Sequence, residues 1–67
     1  MKRFFCDFNG PMRFIAGEYP PRVGERVVLY DLEGLECEAI VTSVYQGHSG
    51  LVGKAYRVGK FQTVTVR

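Results

Sequence analysis

The sequence predicts a small all-β domain, and its length, its glycine spacing and its β-branched residues each support that prediction. A chain of 67 residues has room for one domain with one small core, which excludes a two-domain enzyme, a dinucleotide-binding fold and a multi-repeat array. Eight glycines divide the chain into short segments, a spacing typical of strands and turns. The longest segment without Gly or Pro, residues 35–46, is rich in the β-branched residues that pack well on a pleated sheet.

Turn residues separate six candidate strands. Asn9-Gly10 predicts a tight turn with positive φ values that closes a hairpin between the first two strands. The next turn is predicted at residues 31–34, with Gly34 in the left-handed position. The Gly-rich residues 47–53 predict a long, mobile loop. In chain order, the candidate strands are residues 2–8, 12–16, 25–31, 36–46, 54–58 and 61–66.

Period-two alternation predicts which side chains face the core. Val27 and Leu29 share the apolar face of the third strand. In the fourth strand Cys37 and Val41 lie on the apolar face, while the opposite face changes from acidic at its start to apolar at Val44. We therefore expect this long strand to bend and to serve both sides of a barrel.

Five or six short antiparallel strands, one of them long and bent, predict a small SH3-like barrel. We expect a single domain over residues 1–67, with the barrel core at 23–66 and a hairpin or arm at 1–16. The segment 23–29, followed by Ala39-Ile40-Val41, resembles the opening hairpin of such barrels.

KOW-type and Tudor-type modules share that hairpin, as does the type II plasmid-borne dihydrofolate reductase. The resemblance covers residues 23–45 and implies a fold, not a function. The reductase lines its shared pore with a Val-Gln-Ile-Tyr motif in its late strand. The late strand here reads Thr63-Val64-Thr65-Val66, so the resemblance does not extend to that activity.

Charge is distributed unevenly along the chain. The formal net charge is only +2. Residues 1–22 carry four cations and two anions, residues 23–38 one cation and five anions, and residues 39–67 four cations and no anion. Such a bipolar distribution indicates association with charged partners or with a second copy of the chain.

The basic final third interleaves cations with aromatic rings, a combination by which small barrels hold phosphates and stack bases. Alternation places Lys54 and Tyr56 on one face and Arg57 on the other, and Tyr56 or Phe61 is alternatively a core side chain. The candidates for binding single-stranded nucleic acid are Lys54, Tyr56, Arg57, Lys60 and Phe61.

A second set of residues indicates protein contact. Four Tyr and five Phe cannot all be buried in so small a core, and Phe5 and Tyr30 lie on the faces opposite the apolar ones. With Glu36 and Glu38 of the acidic edge they are the candidate protein-contact residues. Protein contact, including self-association as a homodimer, is favoured over nucleic acid. A small-molecule pocket shared at an oligomer centre is the third alternative.

The sequence predicts no catalytic residue, metal or cofactor. His48-Ser49 has no acidic residue nearby in sequence to orient the imidazole, and the glycines around it lack the Lys-Ser/Thr and the helix of a phosphate-binding loop. Cys6, Cys37 and His48 are too widely spaced for a structural zinc site. The first residues form too short an apolar run for a signal peptide, and no run approaches about 18 apolar residues. We expect a cytoplasmic protein with no membrane partner and with reduced, buried thiols.

Overall fold

A computed structural model describes residues 1–48 and 50–63, and within them the chain is all-β, as predicted. No helix occurs in this part of the chain, so none there could cross a membrane. The strands are β1 (Arg3–Phe5), β2 (Arg13–Ile15), β3 (Arg26–Tyr30), β4 (Leu35–Gly47), β5 (Gly50–Arg57) and β6 (Gln62–Thr63). Residues 64–66, predicted to complete the last strand, lie outside the described residues.

The six strands form one curled sheet in the order β1-β3-β4-β5-β2, with β6 also paired to β4. The pairs β3–β4, β4–β5, β2–β5 and β4–β6 are antiparallel, whereas β1 runs parallel to β3. Hydrogen bonds flank that parallel pair, from Val28 N–H to the Lys2 carbonyl at 2.9 Å and from Cys6 N–H to the Tyr30 carbonyl at 2.8 Å. The prediction that all strands are antiparallel is therefore wrong for β1.

The first two strands lie at opposite ends of this strand order, and the curl of the sheet brings them together at one isolated antiparallel bridge between Cys6 and Phe14. The sequence predicted a hairpin here with positive φ values at Asn9-Gly10. Neither residue has a positive φ. Instead, residues 7–13 connect the bridged Cys6 and Phe14, a connection that is longer than a tight turn. Within this connection the Asp7 carboxylate accepts a hydrogen bond from the Asn9 N–H at 3.0 Å.

The long strand β4 bends as predicted. Its pairing with β5 shifts register between Val41 and Ser43, which is the signature of a β-bulge. Before the bulge Cys37 and Val41 are buried, and after it Val44 packs against the same core. Residues 37, 39 and 41 face the core before the bulge, and the extra residue at the bulge makes Val44 face the core after it.

The glycines between β4 and β5 form a tight hairpin rather than the predicted long loop. Gly47 pairs directly with Gly50, which adopts a φ of 126° that side-chain-bearing residues rarely tolerate. Gly53 lies within β5 beneath the buried Phe14 ring. These glycines serve close backbone packing, so their spacing does not indicate a flexible loop. Gly34 takes the left-handed position as predicted, with φ 90°.

The core lies inside the curl and consists of small side chains around one aromatic pair. The Phe4 ring stacks on Phe14 with centroids 4.7 Å apart. Both cysteines are free and buried, and burial raises the pKa of the Cys6 thiol from 9.0 to about 11. The buried side chains of this hydrophobic core are Cys6, Phe14, Ala16, Val27, Leu29, Cys37, Ala39 and Val41.

Candidate binding surface

An apolar row crosses the outer face of three neighbouring strands. The register places Tyr45 of β4 opposite Val52 of β5, and Val52 opposite Ile15 of β2. Because directly paired residues project to the same face, these side chains form a continuous row that points away from the core. Ile15 is 57% exposed, well above what its hydrophobicity alone would favour.

A cationic row lies beside the apolar one. Two residues further along β5, Lys54 is flanked by Ser43 of β4 on one side and by Arg13 of β2 on the other. The Lys54 ammonium lies 5.8 Å from the Tyr45 ring centroid, which is within cation–π range. The outer face therefore presents apolar and positively charged side chains side by side.

The apolar row opens into a cleft where β1 meets β2. Cys6 and Phe14 form the bridge between these strands and point into the core. Because successive side chains of a strand alternate in direction, their neighbours Phe5 on β1 and Ile15 on β2 point outward. The cleft has a volume of about 420 Å³, and Phe5 is 45% exposed beside it. We refer to it below as the outer cleft; it is lined by Phe5, Asp7, Arg13, Phe14, Ile15, Tyr45, Gly47, His48 and Val52.

Three of the predicted protein-contact residues lie together on β1, β3 and β4. Phe5 packs edge-on against Tyr30 with centroids 6.2 Å apart. The Arg3 guanidinium lies 5.4 Å from the Tyr30 ring centroid and forms an ion pair with Glu36 at 2.7 Å. Phe5 therefore connects this cluster to the outer cleft, and the Glu36 carboxylate is already paired with Arg3 of β1.

The fourth, Glu38, forms an ion pair with Arg26 across β3 and β4 at 3.1 Å. Lys2 and Glu25 approach to 3.9 Å at the same side of the sheet. Three of the five acidic residues of the segment 23–38, namely Glu25, Glu36 and Glu38, thus pair with cations of the same chain.

The predicted nucleic-acid residues divide between two locations. Lys54 and Tyr56 share one face of β5, as alternation predicted, and in the structure that face points outward, so Tyr56 is not a core side chain. Arg57 lies across from the buried Ala39 and turns back over the Phe61 ring, 4.8 Å from its centroid, while donating a hydrogen bond to the Gly59 carbonyl at 2.6 Å.

Phe61 in turn packs edge-on against Phe8 with centroids 5.0 Å apart. Lys60 is exposed in the segment between β5 and β6. Arg57 and Phe61 therefore stabilise that segment, and only two of the five candidates share the outer face.

The structure adds Arg13, Ile15, Tyr45 and Val52, which sequence reasoning did not select. Arg13 and Ile15 flank Phe14 in an exposed–buried–exposed alternation that was visible in the sequence. Simple alternation along the fourth strand places Tyr45 on the same face as Cys37 and Val41, and the register shift at the bulge turns it outward. Val52 lies within residues 47–53, which the sequence predicts as a loop and which the structure places partly in β5.

His48 lines the outer cleft with Asp7. Among the described residues, His48 makes no side-chain hydrogen bond, and Ser49 lies outside them. The chain matches no protein-family model, no curated protein and no solved structure.

Proposed function

We propose that this protein is a small, non-catalytic binding module that contacts another protein through the outer cleft. The observation that carries the proposal is the combination of an apolar concave surface with a core that does not need it. Phe5 and Ile15 are half exposed, although eight other side chains already form the buried core. Exposed apolar side chains gathered in one concavity are typical of interaction sites.

The proposed scaffold is an SH3-like barrel, and the proposed location is the cytoplasm. The β3–β4–β5 meander, the bulge in β4 and the near-closure of the sheet by the Cys6–Phe14 bridge support the barrel assignment. Two free, buried thiols support a reducing compartment.

Contact through the outer cleft is a better proposal than contact through the acidic edge. Glu36 and Glu38 already pair with Arg3 and Arg26, so a partner's cations would have to displace intramolecular ones. Exposed ion pairs of this kind contribute little net free energy in either arrangement. Burial of Phe5 and Ile15 provides the larger driving force because it removes apolar area from water.

A displayed random-peptide library tests the proposal. Peptides selected on the wild-type protein should bind the Ile15→Thr variant at least about fivefold more weakly, because burying a hydroxyl in place of apolar surface costs about 1 kcal/mol or more. Thr keeps the β-branched shape that a strand favours. Val23→Thr is the matched control, since Val23 is 66% exposed and is not among the residues lining the cleft.

Selected peptides that bind both variants equally would contradict the proposal. Light scattering of the wild-type protein and of Ile15→Thr identifies self-association as the form of contact. If the mass of the wild-type protein rises with concentration and that of Ile15→Thr does not, the cleft is occupied by a second copy of the chain.

A second candidate function, binding of single-stranded nucleic acid, is supported by Lys54 and Tyr56 on one face with Arg13 beside them. It predicts an affinity for oligodeoxythymidylate that falls steeply with salt and is lost in Lys54→Glu. Unchanged affinity in that variant would remove this candidate.

A further inference from the structure

The cationic row has an unfavourable arrangement within the chain. Arg13 and Lys54 are direct partners in the β2–β5 ladder, and like charges directly opposite each other are destabilising. Ser43, on the other side of Lys54, is uncharged. Within residues 1–48 and 50–63 the ion pairs are Lys2–Glu25, Arg3–Glu36 and Arg26–Glu38, and neither Arg13 nor Lys54 takes part in them.

This contrasts with the β1–β3–β4 part of the sheet, where Arg26 pairs with Glu38 on the adjacent strand and Arg3 of β1 reaches across β3 to pair with Glu36 of β4. The cations on β1 and β3 are therefore paired with carboxylates, whereas Arg13 and Lys54 face each other beside the outer cleft without a carboxylate of the described residues between them. An anion placed between Arg13 and Lys54 would relieve their repulsion.

Apolar side chains lie on both sides of the cationic row. Val52 precedes Lys54 by two residues on β5, and Tyr56 follows it by two. Tyr56 pairs with Ile40 and is 53% exposed. Successive outward residues of a strand are roughly 6.6 Å apart, which is also the distance between alternate side chains of any extended peptide. An extended segment lying along β5 would therefore place its alternate side chains on the three rows in turn.

We propose that the outer cleft and the cationic row together bind an extended acidic peptide segment in which a carboxylate is flanked, two residues away on each side, by apolar side chains. The carboxylate lies between Arg13 and Lys54, one apolar side chain enters the outer cleft against Ile15 and Val52, and the other contacts Tyr56. This inference rests on the proposed protein-binding function and specifies the partner's chemistry.

The same surface is less suited to a nucleic-acid strand. Successive bases need several open aromatic faces on which to stack. The outer face offers the exposed Tyr56 ring, but the Lys54 ammonium lies over the Tyr45 ring. The other members of that row, Val52 and Ile15, are aliphatic. A peptide with aliphatic side chains uses these contacts, whereas a base gains no stacking from them.

Titration of the ¹⁵N-labelled protein with two capped peptides tests the proposal. The first is Ser-Leu-Ser-Glu-Ser-Leu-Ser, and the second has Lys in place of Glu. The first should shift the amide signals of Ile15, Val52 and Lys54 and bind about fivefold or more tightly than the second, since each exposed ion pair contributes up to a few-fold in affinity. Lys54→Glu should abolish this preference, whereas Lys60→Glu, with the same change in net charge, should retain it.

Equal binding of the two peptides, with loss of binding in Ile15→Thr, would overturn the acidic preference and leave the proposed protein-binding cleft intact. Absence of shifts at these amides with either peptide would overturn the acidic-segment proposal. Lys54-dependent binding of oligodeoxythymidylate without peptide binding would overturn it in favour of nucleic acid. Peptide binding unaffected by Ile15→Thr and Lys54→Glu would contradict the proposed function as well.

Discussion

The substitution Gly53→Ala tests how tightly the Phe14 ring is packed against β5. Gly53 is the direct cross-strand partner of Phe14. A Cβ added at Gly53 would lie 2.6 Å from Phe14 Cε2 and 2.9 Å from Cε1, and closer still to Cζ. The ring has little room to retreat, because Phe14 is only 2% exposed and stacks on Phe4 from another side.

The expected cost follows from this overlap. Inserting a methyl group into a packed core typically costs about 1–3 kcal/mol, and the direct overlap with an immobile ring points to about 2 kcal/mol or more. A chain of 67 residues has a total unfolding free energy of roughly 3–10 kcal/mol at the usual per-residue values. The substitution should therefore remove a large share of the stability and lower Tm by about 8–16 °C.

Thermal and urea denaturation followed by circular dichroism measure this effect. Gly59→Ala is the matched control, because no described residue other than its two chain neighbours has an atom within 4 Å of a Cβ there, and its φ is not left-handed. The control should be neutral or stabilising by up to about 1 kcal/mol, through reduced freedom of the unfolded chain. Combining Gly53→Ala with Phe14→Leu should cost less than the sum of the two single changes. A Tm for Gly53→Ala equal to that of Gly59→Ala would refute the packing argument.

A buried thiol, a turn and an ion pair each give a further expectation. Burial raises the pKa of Cys6 from 9.0 to about 11. The contribution of this thiol to stability is therefore fully present below pH 9 and is lost as the pH rises toward 11, and Cys6→Ala should flatten that part of a pH–Tm profile. Asp31 Oδ1 accepts two backbone hydrogen bonds, one from Leu35 at 2.9 Å, so Asp31→Ala should cost about 1–2 kcal/mol in urea melts, and Asp31→Asn less. Glu36→Gln removes the charge that Arg3 pairs with and should cost under about 1 kcal/mol, a loss that high salt abolishes.

Each expectation has an opposite outcome that the same measurement detects. An alkaline decline that is the same with and without Cys6 would assign it to other groups. Equal losses for the Ala and Asn variants of Asp31 would show that the carboxylate oxygen does not hold the turn. A loss at Glu36 that persists in high salt would mean that packing, not charge, is responsible.

Local patterns predicted much of the fold because they depend on neighbours in the chain. Strand alternation identified Val27 and Leu29 as core residues, and both are buried. The change of apolar face along residues 36–46 predicted the bend, which the bulge after Val41 produces. Gly34 was recognisable as a turn residue because its position between two strands required a left-handed φ.

Strand pairing was not predictable in the same way. Asn9-Gly10 favours a hairpin locally, yet β1 pairs with β3 instead. That choice depends on which arrangement buries Phe4 and Cys6 against the rest of the core, and it involves contacts with residues far away in the chain. The glycines of residues 47–53 suggest a mobile loop when only their neighbours in the chain are considered. The Phe14 ring, which requires a glycine at position 53, is distant in sequence.

The candidate site shows the same division. By itself the sequence determined the all-β class, the inward and outward faces of most strands, the exposure of Phe5 and the shared face of Lys54 and Tyr56, because each follows from a two-residue repeat within one strand. Only the tertiary structure decided that Arg13 faces Lys54 across the sheet, that Ile15 and Phe5 border one cleft, and that Arg57 is used internally. These are relations between strands, and they are set by register, curl and burial of the whole core.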